Sequence, residues 1–111
     1  MLFDFNTIPE TIVSNFKGGD GEAHVRKFVD ERMGNVVQLT LPVGSSIGLH
    51  KHEGNCEIIY VVSGQGICTD DGEEYPIYAG TRNYCPEGHT HGIRNTGNEP
   101  LVLFGVLPNM K

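Results

Sequence analysis

The chain has no tryptophan, three cysteines and only eight lysines and arginines among its 111 residues. Each shortage excludes something. Against 14 aspartates and glutamates the few basic residues leave a formal net charge of −6, with no run of Lys or Arg. A phosphate backbone needs a basic face, so no nucleic-acid partner is expected. The cysteines, Cys56, Cys68 and Cys85, are odd in number and show no C-x-x-C spacing. A disulfide framework or a zinc knot is therefore not expected, and reduced thiols are. Apolar stretches are short, residues 101–107 being among the longest, and none is long enough to span a bilayer. Residues 1–16 lack the basic start and long apolar core of a signal peptide, so the expectation is a cytoplasmic protein with no membrane partner.

What the chain does have is turns. Fifteen glycines and six prolines in so short a sequence point to all-β structure. A chain of this length forms one domain and buries roughly two thirds of its unfolded surface. We read residues 1–21 as an N-terminal arm of that domain and residues 22–111 as a single barrel. The arm carries Leu2, Phe3, Phe5, Ile8, Ile12, Val13 and Phe16, and its mixed period suggests a strand followed by a short helical turn. So much apolar surface at one end favours packing on its own barrel or on a second subunit, and makes oligomerisation a reasonable expectation. Residues 22–29 read as a strand. Val37, Leu39, Leu41 and Val43 alternate with polar or turn residues, as in a half-buried strand. Residues 57–63, apolar on both faces, read as a central strand covered on both sides. Asp71-Gly72 signals a type I′ hairpin. Further short strands are expected at 67–69, 75–79, 83–85, 91–95 and 100–107, a spacing that suits a sandwich or barrel.

Four of the five histidines fall in two clusters. His50 and His52, two apart on a strand, point to one face and can chelate one ion. Glu57 is out of their register, so a turn at residues 53–56 must bring it alongside, with Gly54 and Asn55 suited to positive φ. His91 arrives from a separate strand after Pro86-Glu87-Gly88. Three imidazoles and one carboxylate suit one divalent transition metal per chain (Mn, Fe, Co, Ni, Cu or Zn) and disfavour Ca or Mg.

Residues 44–64 follow the pattern G-x5-H-x-H-x4-E-x6-G, and residues 80–95 follow G-x5-P-x-G-x2-H-x3-N, both without a departure. In these two motifs the chain resembles a small single-domain cupin of the RmlC-like superfamily. The motifs and the segment between them span about half of the chain. The resemblance implies a double-stranded β-helix, or jelly-roll barrel, with a metal at its centre held by His50, His52, Glu57 and His91. It extends to oxygenases, decarboxylases, isomerases and lyases, and small cupins of this kind commonly form homodimers.

The expected function is a metal-dependent enzyme acting on a small polar organic substrate inside the barrel. The alternative is a non-catalytic metal-containing module that binds or senses a small ligand. Glu57, Ile59 and Val61 share one face, and His91 and Ile93 another, which predicts an apolar pocket below the metal. Polar candidates at its mouth are His89, Arg94, Tyr84, Glu53 and Arg26. Arg26 or Arg94 can hold a carboxylate through a bidentate pair. The scarcity of basic residues argues against a phosphorylated substrate. His89, Tyr60 and Tyr84, with Tyr78, are the candidate acid–base groups.

Overall fold

A computed structural model describes residues 1–110. Its regular structure is ten strands with two 3-10 turns, Phe5–Thr7 and Phe16–Gly18. The strands are β1 (Thr11–Ser14), β2 (Glu22–Asp30), β3 (Gly34–Leu41), β4 (Ser46–Lys51), β5 (Glu57–Ser63), β6 (Gln65–Asp70), β7 (Glu73–Tyr78), β8 (Arg82–Cys85), β9 (Thr90–Asn95) and β10 (Leu101–Pro108). A six-stranded sheet runs β1-β2-β3-β10-β5-β8, and a four-stranded sheet runs β4-β9-β6-β7. Every pairing is antiparallel. This is the expected all-β jelly roll. Among the described residues no helix is long and apolar enough to cross a membrane.

The core is aliphatic, with no phenylalanine or tyrosine among the described residues that are fully buried. Ala23, Leu41, Val61, Leu101 and Leu103 are almost completely buried between the sheets, with Ile93 and Cys68 facing them from β9 and β6. Alternation along β5 and β10, and over residues 22–26 of β2 and 38–41 of β3, places odd-numbered residues inside.

Strand β4 breaks that alternation. Ile47 pairs with Ile93 and His50 pairs with His91, so three steps on β4 oppose two on β9. The bulge at Gly48-Leu49 lets odd-numbered Ile47 and even-numbered His50 both face the interior, while Leu49 is turned out to solvent. The hairpin between β6 and β7 has the expected form, with Asp71 at φ 48 and Gly72 at φ 87, both positive as a type I′ turn demands.

One expectation needs correcting. Strand β5 is not covered on both sides: Ile58 and Val62 are 45% and 47% exposed on its outer face. Its apolar residues on that face reflect a partly open sheet surface rather than a second packed layer. In the arm the expected strand and following helical turn are Thr11–Ser14 and Phe16–Gly18, and a further 3-10 turn precedes them. Phe5–Thr7 forms a 3-10 turn capped by the Asp4 carboxylate, and β1 then pairs with β2. The arm lies on its own barrel: Phe3 stacks on Phe28 at 4.2 Å between ring centroids, and Phe5 meets Phe104 edge-on.

Candidate metal centre

His50, His52, Glu57 and His91 converge, each offering a ligand atom within 4.8 Å of the others. His50 lies on β4 and His52 just past its end. A turn through Gly54, at φ 78, returns the chain to Glu57 at the head of β5. His91 sits on β9, opposite His50. His91, His52 and Glu57 are 1%, 5% and 8% exposed, while His50 is partly open to the cavity. The three imidazole centroids are 4.7 to 4.9 Å apart in every pairing.

Each ring is anchored through Nδ1. His50 Nδ1 donates to the Gly48 carbonyl at 2.8 Å, His52 Nδ1 to the Asn55 side-chain oxygen at 2.8 Å and His91 Nδ1 to the Asn83 side-chain oxygen at 2.7 Å. With the proton at Nδ1, each Nε2 lone pair is directed at the centre. His52 Nε2 and His91 Nε2 lie 2.9 Å apart, and each is 3.1 Å from Glu57 Oε1. Atoms that share one ion at right angles through bonds of about 2.1 Å lie about 3.0 Å apart. Such a crowd of lone pairs is relieved by protons on Nε2 or by a metal ion at its centre, and the donor set fits a transition metal.

The electrostatics favour the metal-binding state at Glu57 and His50 and oppose it at His52. Burial pushes the Glu57 carboxyl upward, but its hydrogen bonds to His52 and His91 more than reverse this and hold it at about 2. The Glu57 carboxylate in turn raises His52, whereas burial lowers His50. Glu57 is kept anionic and His50 neutral, the states a metal requires.

Gly105 on β10 makes room for the carboxylate. A Cβ there would lie 2.9 Å from Glu57 Oε2 and 3.0 Å from Val37 Cγ2. The cluster forms one wall of a cavity of about 670 Å³. Its lining includes the buried Ile59, Leu39 and Leu103 and the exposed Lys17, Lys27, Lys51 and Glu53.

The other residues singled out from sequence fall in different places. Ile59 lines the cavity, but Val61 and Ile93 belong to the packed core beneath it. Of the five polar mouth candidates only Glu53 lines the cavity, with Lys51 at 3.7 Å. Arg26 faces outward and donates to the carbonyls of Phe5 and Ile8, which pins the arm. Arg94 pairs with Asp20 at 2.9 Å in solvent. His89 donates to Asp71 and ties the second motif's loop to the β6–β7 turn. Tyr60 lies on the outer face beneath the Arg82 guanidinium, and Tyr78 and Tyr84 are 57% and 55% exposed. The cysteines are free and buried, and burial pushes Cys68 up to about 12 and Cys85 up to about 11.

Sequence reasoning missed Lys17, Lys27, Asn83 and Gly105. Lys27 was within reach, since it shares the inward register of Ala23 and Val25. Lys17 stood in a segment that reads only as a loop, and Asn83 and Gly105 carry no local signal of a metal site.

Fold and cluster together define a cupin. The Cupin domain family model matches residues 37–107, and the chain belongs to that family. It is 43% identical over 104 residues to the oxalate-binding protein of Thermotoga maritima, covering 89% of this chain and 85% of that protein. It is 39% identical over 70 residues to an uncharacterized protein of Methanocaldococcus jannaschii, covering 63% of this chain and 56% of the relative. The crystal structure of a predicted oxalate decarboxylase from Thermotoga maritima superposes with a TM-score of 0.93 at 35% identity, covering 99% of this chain and all of that one.

Proposed function

We propose that this cupin holds one divalent transition metal on His50, His52, Glu57 and His91 and uses it to bind a small carboxylate ligand. The observation that carries this reading is the set of three histidines anchored at Nδ1 with their Nε2 atoms gathered on the Glu57 carboxylate. When bound, the metal supplies a Lewis-acid centre for carboxylate oxygens. The chain's own residues do the rest. Asn55, Asn83 and the Gly48 carbonyl fix the ring orientations, and Ile59, Leu39 and Leu103 give the ligand a dry, apolar floor. The similarity to an oxalate-binding protein supports a carboxylate ligand of this class.

Binding is favoured over acid–base catalysis because His89, Tyr60, Tyr78 and Tyr84 all lie off the cavity wall. One observation supports an enzyme as second reading. Glu53, next to His52 in the chain, is the one carboxylate besides Glu57 among the described residues that line the cavity. Calorimetric titration of oxalate into metal-loaded and metal-stripped protein tests the first reading, with binding expected only in the loaded form. Carbon dioxide release from oxalate that disappears in Glu53→Gln would establish the second.

The reading includes a homodimer. The arm is committed to its own barrel, whereas Ile58, Val62 and Tyr84 leave an apolar area on the outer face of β5 and β8. A patch of this kind is covered most simply by a second copy.

A further inference from the structure

The cavity is much larger than a two-carbon dianion needs, and two lysines, Lys17 and Lys27, are among the residues that line it. Lys27 lies on the inner face of the six-stranded sheet, in one row with Val37, Gly105 and Ile59 across β2, β3, β10 and β5. Glu57 lies over Gly105, so Lys27 stands two strands away, roughly 10 Å along the sheet. Only Val37 intervenes in that row, and it is apolar.

Lys17 reaches the same cavity from the other side. It sits in the 3-10 turn Phe16–Gly18 with φ 55, and Asn15 before it has φ 52. Left-handed backbone at non-glycine residues persists only where surroundings impose it. Here they do. A Cβ on Gly48 would lie 2.1 Å from the Lys17 carbonyl oxygen, and one on Gly19 would lie 2.1 Å from that of Ser46. The turn is thus seated directly on β4, the strand of His50, and hydrogen bonds between Asp20 and Ser46 hold it there. Neither Lys17 nor Lys27 has an ion-pair partner among the described residues, whereas Lys51 has Glu53.

We propose that Lys17 and Lys27 form a second carboxylate subsite at the cavity mouth, so that the preferred ligand is a dicarboxylate with an apolar spacer of a few carbons, one end on the metal and the other on the lysines. This rests on the metal-and-carboxylate reading above. It replaces Arg26 and Arg94, both engaged outside the cavity, as the cationic recognition groups.

The test is calorimetry on metal-loaded wild type, on Lys17→Gln and Lys27→Gln, and on the double variant, with oxalate, glutarate and pentanoate as probes. Elemental analysis of each sample checks that the metal is retained. Wild type is expected to bind glutarate at least tenfold more tightly than pentanoate. In the double variant that preference is expected to fall to within twofold, while oxalate affinity changes less than threefold. Glutarate no tighter than pentanoate in wild type, or a preference that survives in the double variant, would overturn the lysine subsite while leaving oxalate binding at the metal intact. Failure of all three acids to bind the loaded wild type would overturn the carboxylate reading itself, and the subsite with it.

Discussion

The side-chain oxygen of Asn83 lies 2.7 Å from His91 Nδ1, and the amide nitrogen of Asn83 donates to the Asp70 carboxylate at 3.2 Å. Because an ionised carboxylate only accepts, this chain assigns every proton. Asn83 presents its oxygen to His91, the imidazole carries its hydrogen on Nδ1, and Nε2 is left as an electron-pair donor. Partners of this kind are worth about 10–100-fold in metal affinity. Asn83→Ala is expected to weaken metal binding by about that factor with the barrel intact, as read by competition against a chelator and by circular dichroism.

Gly105→Ala probes the other side of the cluster. The added methyl meets the far end of the Glu57 side chain and a Val37 methyl, at 2.9 and 3.0 Å. A carboxylate can swing away where backbone could not. The expected result is at least a tenfold loss of metal affinity, with little change in thermal stability. Unaltered metal affinity would mean that Gly105 does not set the position of the Glu57 carboxylate.

Metal uptake is expected to release protons. Hydrogen bonding to Glu57 raises His52 above the ordinary imidazole value of 6.5, so protons and metal compete for Nε2 near neutrality. Apparent affinity should therefore fall as pH is lowered from about 8 to about 6. Glu57 adds nothing to that slope, since it is held at about 2. The same depression, from 4.5 to about 2, has its own signature in metal-free protein. Stability from this group is fully present above about pH 4.5 and is lost as pH falls through about 2. Denaturation curves across that window should be flatter for Glu57→Gln than for wild type.

Asn95, the last residue of the second motif, has a purely structural role. It is buried, its amide donates to the carbonyls of Leu41 and Glu99, and its oxygen accepts from the Gly97 amide. Removing the side chain strands buried backbone groups, at about 1–3 kcal/mol each. Asn95→Ala is expected to lose roughly 2–4 kcal/mol in chemical denaturation and to keep its metal stoichiometry.

Light scattering checks the dimer. Wild type is expected at twice the chain mass, and Ile58→Lys with Tyr84→Lys at the chain mass with metal content unchanged. A monomeric wild type would contradict the assignment of this face.

Much of this was legible in the residues. The span of β5, the Asp71-Gly72 hairpin and the need for a turn between His52 and Glu57 follow from local rules of side-chain period and positive φ. The four converging residues follow from two long motifs. What escaped depends on long-range geometry. The bulge at Gly48-Leu49 reverses the facing of β4 without any change in its apolar pattern. The outer face of β5 carries apolar residues for a reason that alternation cannot separate from burial. Lys17 gains its place only because two glycines, at 19 and 48, let a distant turn sit against β4. Arg26 and Arg94 were natural candidates by charge, yet their side chains have nearer partners in the Phe5 and Ile8 carbonyls and in Asp20.

One metal ion per chain is expected on His50, His52, Glu57 and His91. Elemental analysis of freshly purified, untagged wild type beside His52→Ala tests it most directly. About one Mn, Fe, Co, Ni, Cu or Zn per chain, lost in the variant, is the expected result. No metal in the wild type and none taken up on dialysis against each ion, or equal metal in both proteins, would contradict it.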